Sequence, residues 1–348
     1  MKPTITYEEI VAENKSHRVG FVDVRSPKEH EFSTIPGAVN IPVLDNETRA
    51  TVGTLYVKGQ VEEAKQYGIE WAASQLASTY TRYQELLNQY DEIVIFCSRG
   101  GMRSNSIFSL LKALGLPVSR LSGGYKAYRH YINERLETEL TKATFVTLYG
   151  LSGSGKTEIL KELSKKGAKV LDLEGCANHR GSMLGSIGLS EPHSQKAFES
   201  LLFEASQEWQ EGEVVFTEGE SKRIGNVVIP SSLFSAIKEG KEIYIEAPLD
   251  LRVAQIHRDY VKEDNQEELS DSLGALKAFV KEERVNQFQE QVMNGEVDLV
   301  IESLLVSYYD PRYNHHKTQR DLTLVSYDAK ETAENILEWQ KESEKIEK

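Results

Sequence analysis

Eight consecutive residues constrain the fold of this chain more than anything else in it. Gly150-Leu151-Ser152-Gly153-Ser154-Gly155-Lys156-Thr157 fit the pattern G-x-x-x-x-G-K-[ST]. The flanks agree with a phosphate loop. An apolar run, Thr144-Phe145-Val146-Thr147-Leu148-Tyr149, reads as a strand before it, and residues 158–163, EILKEL, read as a helix after it. A strand that feeds straight into a helix belongs in an α/β sheet. Glycines let backbone N–H groups converge on phosphate oxygens, and the helix N-terminus adds positive potential. Gly150, Ser152, Gly153, Ser154 and Gly155 would form the cradle, Lys156 would reach a terminal phosphate, and the Thr157 hydroxyl can hold Mg2+. The motif leaves the carrier of the phosphate open. A nucleotide is the default, and any phosphate or diphosphate ester fits the same cradle.

Such a loop calls for an acidic partner at a strand end. The run 214–220, VVFTEGE, supplies Glu218 and Glu220, with Asp172 and Glu174 in VLDLEG as rivals. Asn178-His179-Arg180-Gly181-Ser182 is a polar, cationic loop that suits phosphate or base contacts, and equally a surface turn. The only cysteines, Cys97 and Cys176, lie too far apart in sequence for ligand spacing, so no zinc site is expected.

The chain has 348 residues, enough for two domains at roughly 150 residues each. Upstream of the phosphate loop, strand-like runs alternate with helix-like ones. Residues 18–24 form a short β-branched run, followed by Ser26-Pro27, a cap plus first-turn proline, opening a short helix over KEHEF. IPGAVNIP is turn-rich with a short strand. Residues 61–89 have the spacing of one long helix, with Ala64, Ile69, Ala72, Leu76 and Tyr80 on one face. Residues 93–96, IVIF, form a continuous apolar strand of the buried parallel type. After it come a helix over 102–114, a strand over 117–121 and a helix over 125–140. The domain boundary is placed near residue 140, giving units 1–140 and 141–348. In the second unit strands are expected at 169–173, 214–217 and 242–246, an amphipathic helix over 194–210, and mostly polar, acidic helix from Pro248 onward. The expected fold is α/β, two doubly wound units, the second with a helical C-terminal part.

Cys97-Ser98-Arg99-Gly100-Gly101-Met102-Arg103-Ser104 is the second chemical constellation. Cys97 ends a buried strand, and two glycines and two arginines follow before a helix starts. Backbone N–H groups wrapped around the sulfur, the helix dipole, Arg99 and Arg103 all favour thiolate. A thiolate among donors is a nucleophile with an anion pocket. Two chemistries use it: transfer of sulfur-type atoms through a persulfide or its selenium analogue, and phosphate-ester hydrolysis, since Cys97 to Arg103 also fits C-x5-R. An inert buried cysteine beside a turn is the plain alternative.

The net charge of −13 is uneven: residues 1–140 carry 16 basic and 17 acidic groups, and the rest carry 25 and 37. That balance argues against a general nucleic-acid coat. Yet residues 93–133 hold six cations and no acid: Arg99, Arg103, Lys112, Arg120, Lys126 and Arg129. Arg312, Lys317 and Arg320 form a second cluster. These read as local anion sites on an acidic protein or as solvated patches. No run of 18 apolar residues suits a membrane span, and the N-terminus lacks the apolar core of a signal peptide. With two cysteines, a reducing, cytoplasmic setting is expected.

The first unit resembles a rhodanese domain, on Asp23-Val24-Arg25-Ser26-Pro27 with Glu29 and Phe32, Ile35-Pro36-Gly37-Ala38-Val39-Asn40-Ile41-Pro42, the Cys97 loop and Gly123-Gly124-Tyr125, in that order. A rhodanese-like unit followed by a phosphate-loop unit resembles the tRNA 2-selenouridine synthase family. Residues 49–56, RATVGTLY, together with GGYKAYR at 123–129, DLEG at 172–175, ANHRGS at 177–182 and EGES at 218–221 carry the likeness. Ser98 stands where that family has a bulkier, often aromatic residue.

The resemblance implies a transferase that replaces the sulfur of wobble 2-thiouridine in a tRNA anticodon stem-loop by selenium. Selenophosphate would be the donor, with geranyl transfer from geranyl diphosphate to the same sulfur. Cys97 would carry selenium as a selanylsulfide, or act on a phosphorylated selenium intermediate, with Arg99 and Arg103 beside it. Candidate substrate or metal contacts are then Asp172, Asn178, His179, Arg180, Glu218, Glu220, Ser221 and Arg223, with Mg2+ as an accompanying ion. Candidate tRNA contacts are Arg120, Lys126 and Arg129. A geranyl chain needs an apolar groove, and Leu201, Leu202 and Phe203 are as readily core. Two other readings stand beside this one: a P-loop kinase or NTPase with a rhodanese-like sensor, and a cysteine-dependent phosphatase.

Overall fold

The computed structural model describes residues 2–12, 17–313 and 320–346. It divides into two compact units, residues 1–136 with 199–204, and residues 137–198 with 205–348.

The first unit holds β1 (Thr4–Ile5), β2 (Val19–Asp23), β3 (Val39–Asn40), β4 (Glu92–Phe96) and β5 (Val118–Leu121). They form one parallel sheet in the order β1-β5-β4-β2-β3. β4 is central and buried along its whole length: residues 93–96 are apolar, and Glu92 at its start meets Ser119 and His17. Val22, Ile93, Ile95, Phe108, Leu111 and Val118 make the core around it. The helix Pro27–Phe32 starts at Ser26 as the sequence indicates, with the Glu29 carboxylate accepting the Ser26 N–H at 3.3 Å.

The single helix expected over 61–89 is instead two, Val61–Ser74 and Leu76–Leu86, preceded by a third, Asn46–Val57. The break falls at Gln75, whose N–H turns back to the carbonyls of Ala72 and Ala73 in a tightened last turn.

The second unit contains β6 (Thr144–Tyr149), β7 (Lys169–Leu171), β8 (Val214–Glu218), β9 (Arg223–Ile224), β10 (Val227–Val228), β11 (Lys241–Glu246) and β12 (Leu322–Val325). Five of them form a parallel sheet in the order β12-β11-β6-β8-β7, and β9 and β10 pair as a small antiparallel hairpin. From β6 the chain runs to one edge and later returns to the other side. The carboxyl end of β6 is therefore a topological switch point, where open α/β sheets bind ligands.

Beyond Pro248 the chain is mostly helical, as expected, with one strand added. The helices Gln266–Leu273, Glu282–Met293 and Val297–Leu304 do gather round their own core of Leu276, Val285, Phe288, Val292 and Leu304. The chain then comes back as β12 on the open edge of β11 and ends in the helix Ala329–Ile346. Ala333 and Ile336 of that helix are buried against Ile159, Leu160 and Leu163 of the helix Lys156–Lys165. Among the described residues no helix is long and apolar enough to cross a membrane.

Candidate functional site

Each unit places one constellation at the carboxyl end of its central strand. In the first unit Cys97 follows β4 and is 3% exposed. Its loop is held from behind: Tyr125 N–H donates to the Cys97 carbonyl and Lys126 N–H to that of Ser98, both at 2.9 Å. Gly124 lies so close to the Cys97 carbonyl that a β-carbon there would collide with it, and its φ of +61° suits glycine alone. The Ser104 hydroxyl is 3.2 Å from Sγ. Burial opposes the charged form, but Ser104 Oγ, the N–H groups of Ser104 and Arg99, and the charge of Arg103 outweigh it. The thiol is held below its ordinary pKa.

Around the sulfur, Arg103 is held in place rather than free. It donates to Glu29 at 2.6 Å and to Ser98 Oγ at 3.0 Å, and Ser98 donates to Glu29 at 3.2 Å. Arg99 is exposed. An open groove borders the loop, with Val43, Leu44, Val52, Tyr56, Ile69 and Met102 among its walls.

In the second unit the phosphate loop follows β6 and bends at Gly153 and Gly155, with φ of +78° and +82°. Lys156 Nζ donates to the carbonyls of Gly150 and Leu151, at 2.9 and 3.4 Å. Burial lowers the Lys156 pKa, against the pull of Glu174, Glu220 and Glu218. Those three acids line the cavity beside the loop. One Glu218 oxygen accepts the Glu174 N–H at 2.8 Å, while Oε2 is buried with no hydrogen-bond partner. Burial, Asp172 and Glu174 push Glu218 well above the usual carboxylate range. Burial, reinforced by Glu220, brings Glu174 to about 8. Among the described residues no group of three or more His, Cys, Asp or Glu has metal-holding geometry.

The cavity has a volume of about 160 Å3 and a mixed lining. Ser152 to Glu158 of the phosphate loop contribute to it together with Glu174, Glu218 and Glu220. Leu184, Ile256, Leu273, Val300, Ile301 and Leu304 supply its apolar wall.

Family models match both parts of the chain: a rhodanese-like domain over residues 6–131 and a tRNA 2-selenouridine synthase AAA domain over 143–292. A protein of Hydrogenovibrio crunogenus named tRNA 2-selenouridine synthase is 31% identical over 345 residues, covering 90% of this chain and 92% of that one. The chain belongs to the tRNA 2-selenouridine synthase family. A Cupriavidus necator relative of the same name is 29% identical over 88% of this chain and 90% of its own length. One from Nitrosomonas eutropha is 34% identical over 69% of this chain, a match spanning 62% of that relative.

In this member of the tRNA 2-selenouridine synthase family, the candidate residues separate clearly. Arg180 lines the cavity, donating to the carbonyls of Ile187 and Asp259 at 2.7 Å and stacking on Tyr260. His179 is buried, its ring faced by Gly185 and Gly225, with Nδ1 unpartnered. Burial and the Arg180 charge lower its pKa. Asp172 caps the helix Leu173–Ala177 by accepting the Gly175 N–H at 2.7 Å. Asn178 and Ser221 serve local turns: the Asn178 amide binds the Ser190 and Glu191 carbonyls, and Ser221 the Arg223 carbonyl. Arg223 is exposed on β9.

Of the candidate RNA contacts, Lys126 is exposed and Arg120 half-buried, donating to the Gly100 carbonyl at 3.4 Å. Arg129 needs correction: it is buried, bonded to Asn133 and Ser200 and ion-paired with Glu199, beyond reach of a surface-bound strand. Tyr125 and Tyr128 are core residues, as are Leu202 and Phe203. In the second basic cluster, Arg312 donates to the Tyr308 carbonyl and Arg320 lies over Tyr244; Lys317 falls outside the described residues.

The sequence reading missed Arg252 and the apolar wall. Arg252 looks like any charged residue in a first helical turn. The wall draws on segments from 184 to 309, too scattered along the chain to read as one feature.

Proposed function

We propose that this chain modifies tRNA bearing 2-thiouridine at the wobble position. It attaches a geranyl group to the sulfur from geranyl diphosphate, then exchanges that sulfur for selenium from selenophosphate. The names of its relatives support selenouridine synthesis on tRNA. One observation carries the finer reading: the phosphate loop and an apolar wall line the same cavity. A nucleotide would bring a polar base to Leu273, Val300 and Leu304. A prenyl diphosphate brings hydrocarbon, and each buried CH2 favours binding by about 0.8 kcal/mol.

In the first step the thiouridine sulfur attacks C1 of the geranyl group and the C–O bond breaks. Diphosphate leaves among the loop N–H groups and Lys156. Thr157 and the orphaned Glu218 Oε2 would hold a Mg2+ ion, which supplies screening of the diphosphate charge. Alkylation makes the sulfur a better leaving group. In the second step the selenium of selenophosphate bonds to C2 of the base, the C2–S bond breaks and geranylthiol departs; cleavage of the P–Se bond then passes the phosphoryl group on, finally to water, and leaves 2-selenouridine. Cys97, its thiol favoured as thiolate, suits the nucleophile that acts on a phosphorylated selenium intermediate: the sulfur bonds to phosphorus, the P–Se bond breaks with its electron pair going to selenium, and water then releases phosphate from the cysteine. The target base lies in an anticodon loop, already unstacked, and such a substrate fits a cytoplasmic setting.

The test is mass spectrometry of wobble nucleosides after incubation with thiolated tRNA, with each donor alone and with both. S-geranyl-2-thiouridine should form with geranyl diphosphate alone, and 2-selenouridine when selenophosphate is added. ATP turnover without tRNA, with nucleosides unchanged, would favour a kinase or NTPase. Vanadate-sensitive hydrolysis of an aryl phosphate would favour a phosphatase, a reading that the engagement of Arg103 by Glu29 weighs against.

A further inference from the structure

The guanidinium of Arg252 links the phosphate loop to a turn that lines the same cavity. Arg252 lies in the first turn of the helix Leu249–Tyr260 and is 4% exposed. Nε donates to the Ser152 carbonyl of the phosphate loop at 2.8 Å. The two terminal nitrogens donate to the two oxygens of Asp310, at 2.9 and 2.6 Å. Asp310 directly follows the π-helical turn Leu305–Tyr309, and both Leu305 and Tyr309 line the cavity. Behind the loop, a β-carbon on Gly153 would stand 2.7 Å from the Arg252 carbonyl, so loop and helix are in close contact. One buried side chain therefore touches the phosphate cradle with one edge and anchors the apolar wall with the other. Only an arginine offers this set of donors in a fixed plane.

We infer that Arg252 and Asp310 are positioning residues that set the distance between the phosphate cradle and the apolar wall, so that one ligand fills both at once. Neither residue lines the cavity. They act through the Ser152 carbonyl and through the turn bearing Leu305 and Tyr309. The consequence is coupling: the gain in affinity from adding an apolar tail to a diphosphate depends on the pair. This rests on the reading of the cavity as a prenyl diphosphate site.

Calorimetry on the full chain with inorganic diphosphate and with geranyl diphosphate separates the possibilities. The wild type should bind the geranyl ester more tightly. Asp310→Asn should shrink that advantage by about tenfold, the size of coupling typical of contacting groups, and weaken inorganic diphosphate less. Arg252→Lys keeps the charge but cannot reach both partners, and should do the same. The double variant should be no worse than either, and Arg252→Lys still decides the matter if Asp310→Asn fails to fold. An unchanged tail advantage in a variant that merely melts earlier would overturn the inference and leave the prenyl diphosphate reading intact. A wild type that does not distinguish the two ligands would overturn both.

Discussion

Glu29 and Arg103 meet beside the Cys97 loop, Oε2 to Nη1 at 2.6 Å, and the Ser98 hydroxyl bonds to both. The helix Pro27–Phe32 and the helix Met102–Ala113 are thus tied together at the sulfur. Ser98, standing where a bulkier residue was expected, is small enough to sit inside that tie.

Glu29→Gln should loosen the loop. The carboxylate is held at about 2, with burial opposing and Arg103, Ser26 and Arg49 prevailing. Its folded pKa lies below its ordinary value of 4.5, so the contribution is present above that value and is lost as pH falls through about 2. The variant should lose about 1 kcal/mol, or a few degrees of melting temperature, allowing for the partly exposed pair. The deficit should be constant from neutral pH to about pH 5 and close under strong acid, read by thermal melts across that range.

Ser104→Ala should raise the Cys97 pKa, because it removes the donor 3.2 Å from the sulfur. The pH profile of alkylation by iodoacetamide reports the thiolate directly. Its midpoint should move upward in the variant, and a profile that does not move would show that Ser104 does not stabilise the thiolate.

Cys97→Ser should abolish 2-selenouridine formation while geranyl transfer continues. Nucleoside mass spectrometry with each donor reads both outcomes. Selenium incorporation at the wild-type rate would remove Cys97 from the reaction.

Lys156→Ala should lower geranyl transfer on the order of 10²–10³-fold, as loss of one preorganised charge partner does elsewhere, and 2-selenouridine formation should fall with it because the exchange acts on the geranylated base. Transfer rates with geranyl diphosphate and thiolated tRNA provide the check.

Glu174→Gln should flatten the stability profile between pH 4.5 and about 8. Burial and Glu220 raise Glu174 to about 8 from an ordinary 4.5, so the folded protein keeps a proton that the unfolded chain releases. Stability from this group is full below 4.5 and lost as pH rises through about 8. Melting temperatures between pH 5 and pH 9 should fall more steeply in the wild type than in the variant.

What the sequence revealed followed from how local each feature is. The phosphate loop and the Cys97 loop are contiguous, each between an apolar strand and a helix, and their residues could be named directly. Glu29 was visible only through the rhodanese resemblance, and its capping of Ser26 and its tie to Arg103 came from the structure. The apolar wall was not visible: Leu184, Ile256, Leu273 and Val300 belong to separate segments, each with a plain reason to be apolar. Arg129 misled because a cation count carries no information about burial. β12 was overlooked because four residues with alternating exposure, within a polar stretch, give too short a period to register.

That late strand decides when this protein can become whole. The edge of β11 stays uncovered, and Ile159, Leu160 and Leu163 lack their cover from Ala333 and Ile336, until residues 322–336 have been synthesised. The rhodanese-like half can complete its sheet early on the ribosome, whereas the other half must wait with an open strand edge, the kind of surface that recruits wrong partners. A premature stop near residue 320 would thus spare the cysteine chemistry and ruin the phosphate cradle more than 150 residues upstream.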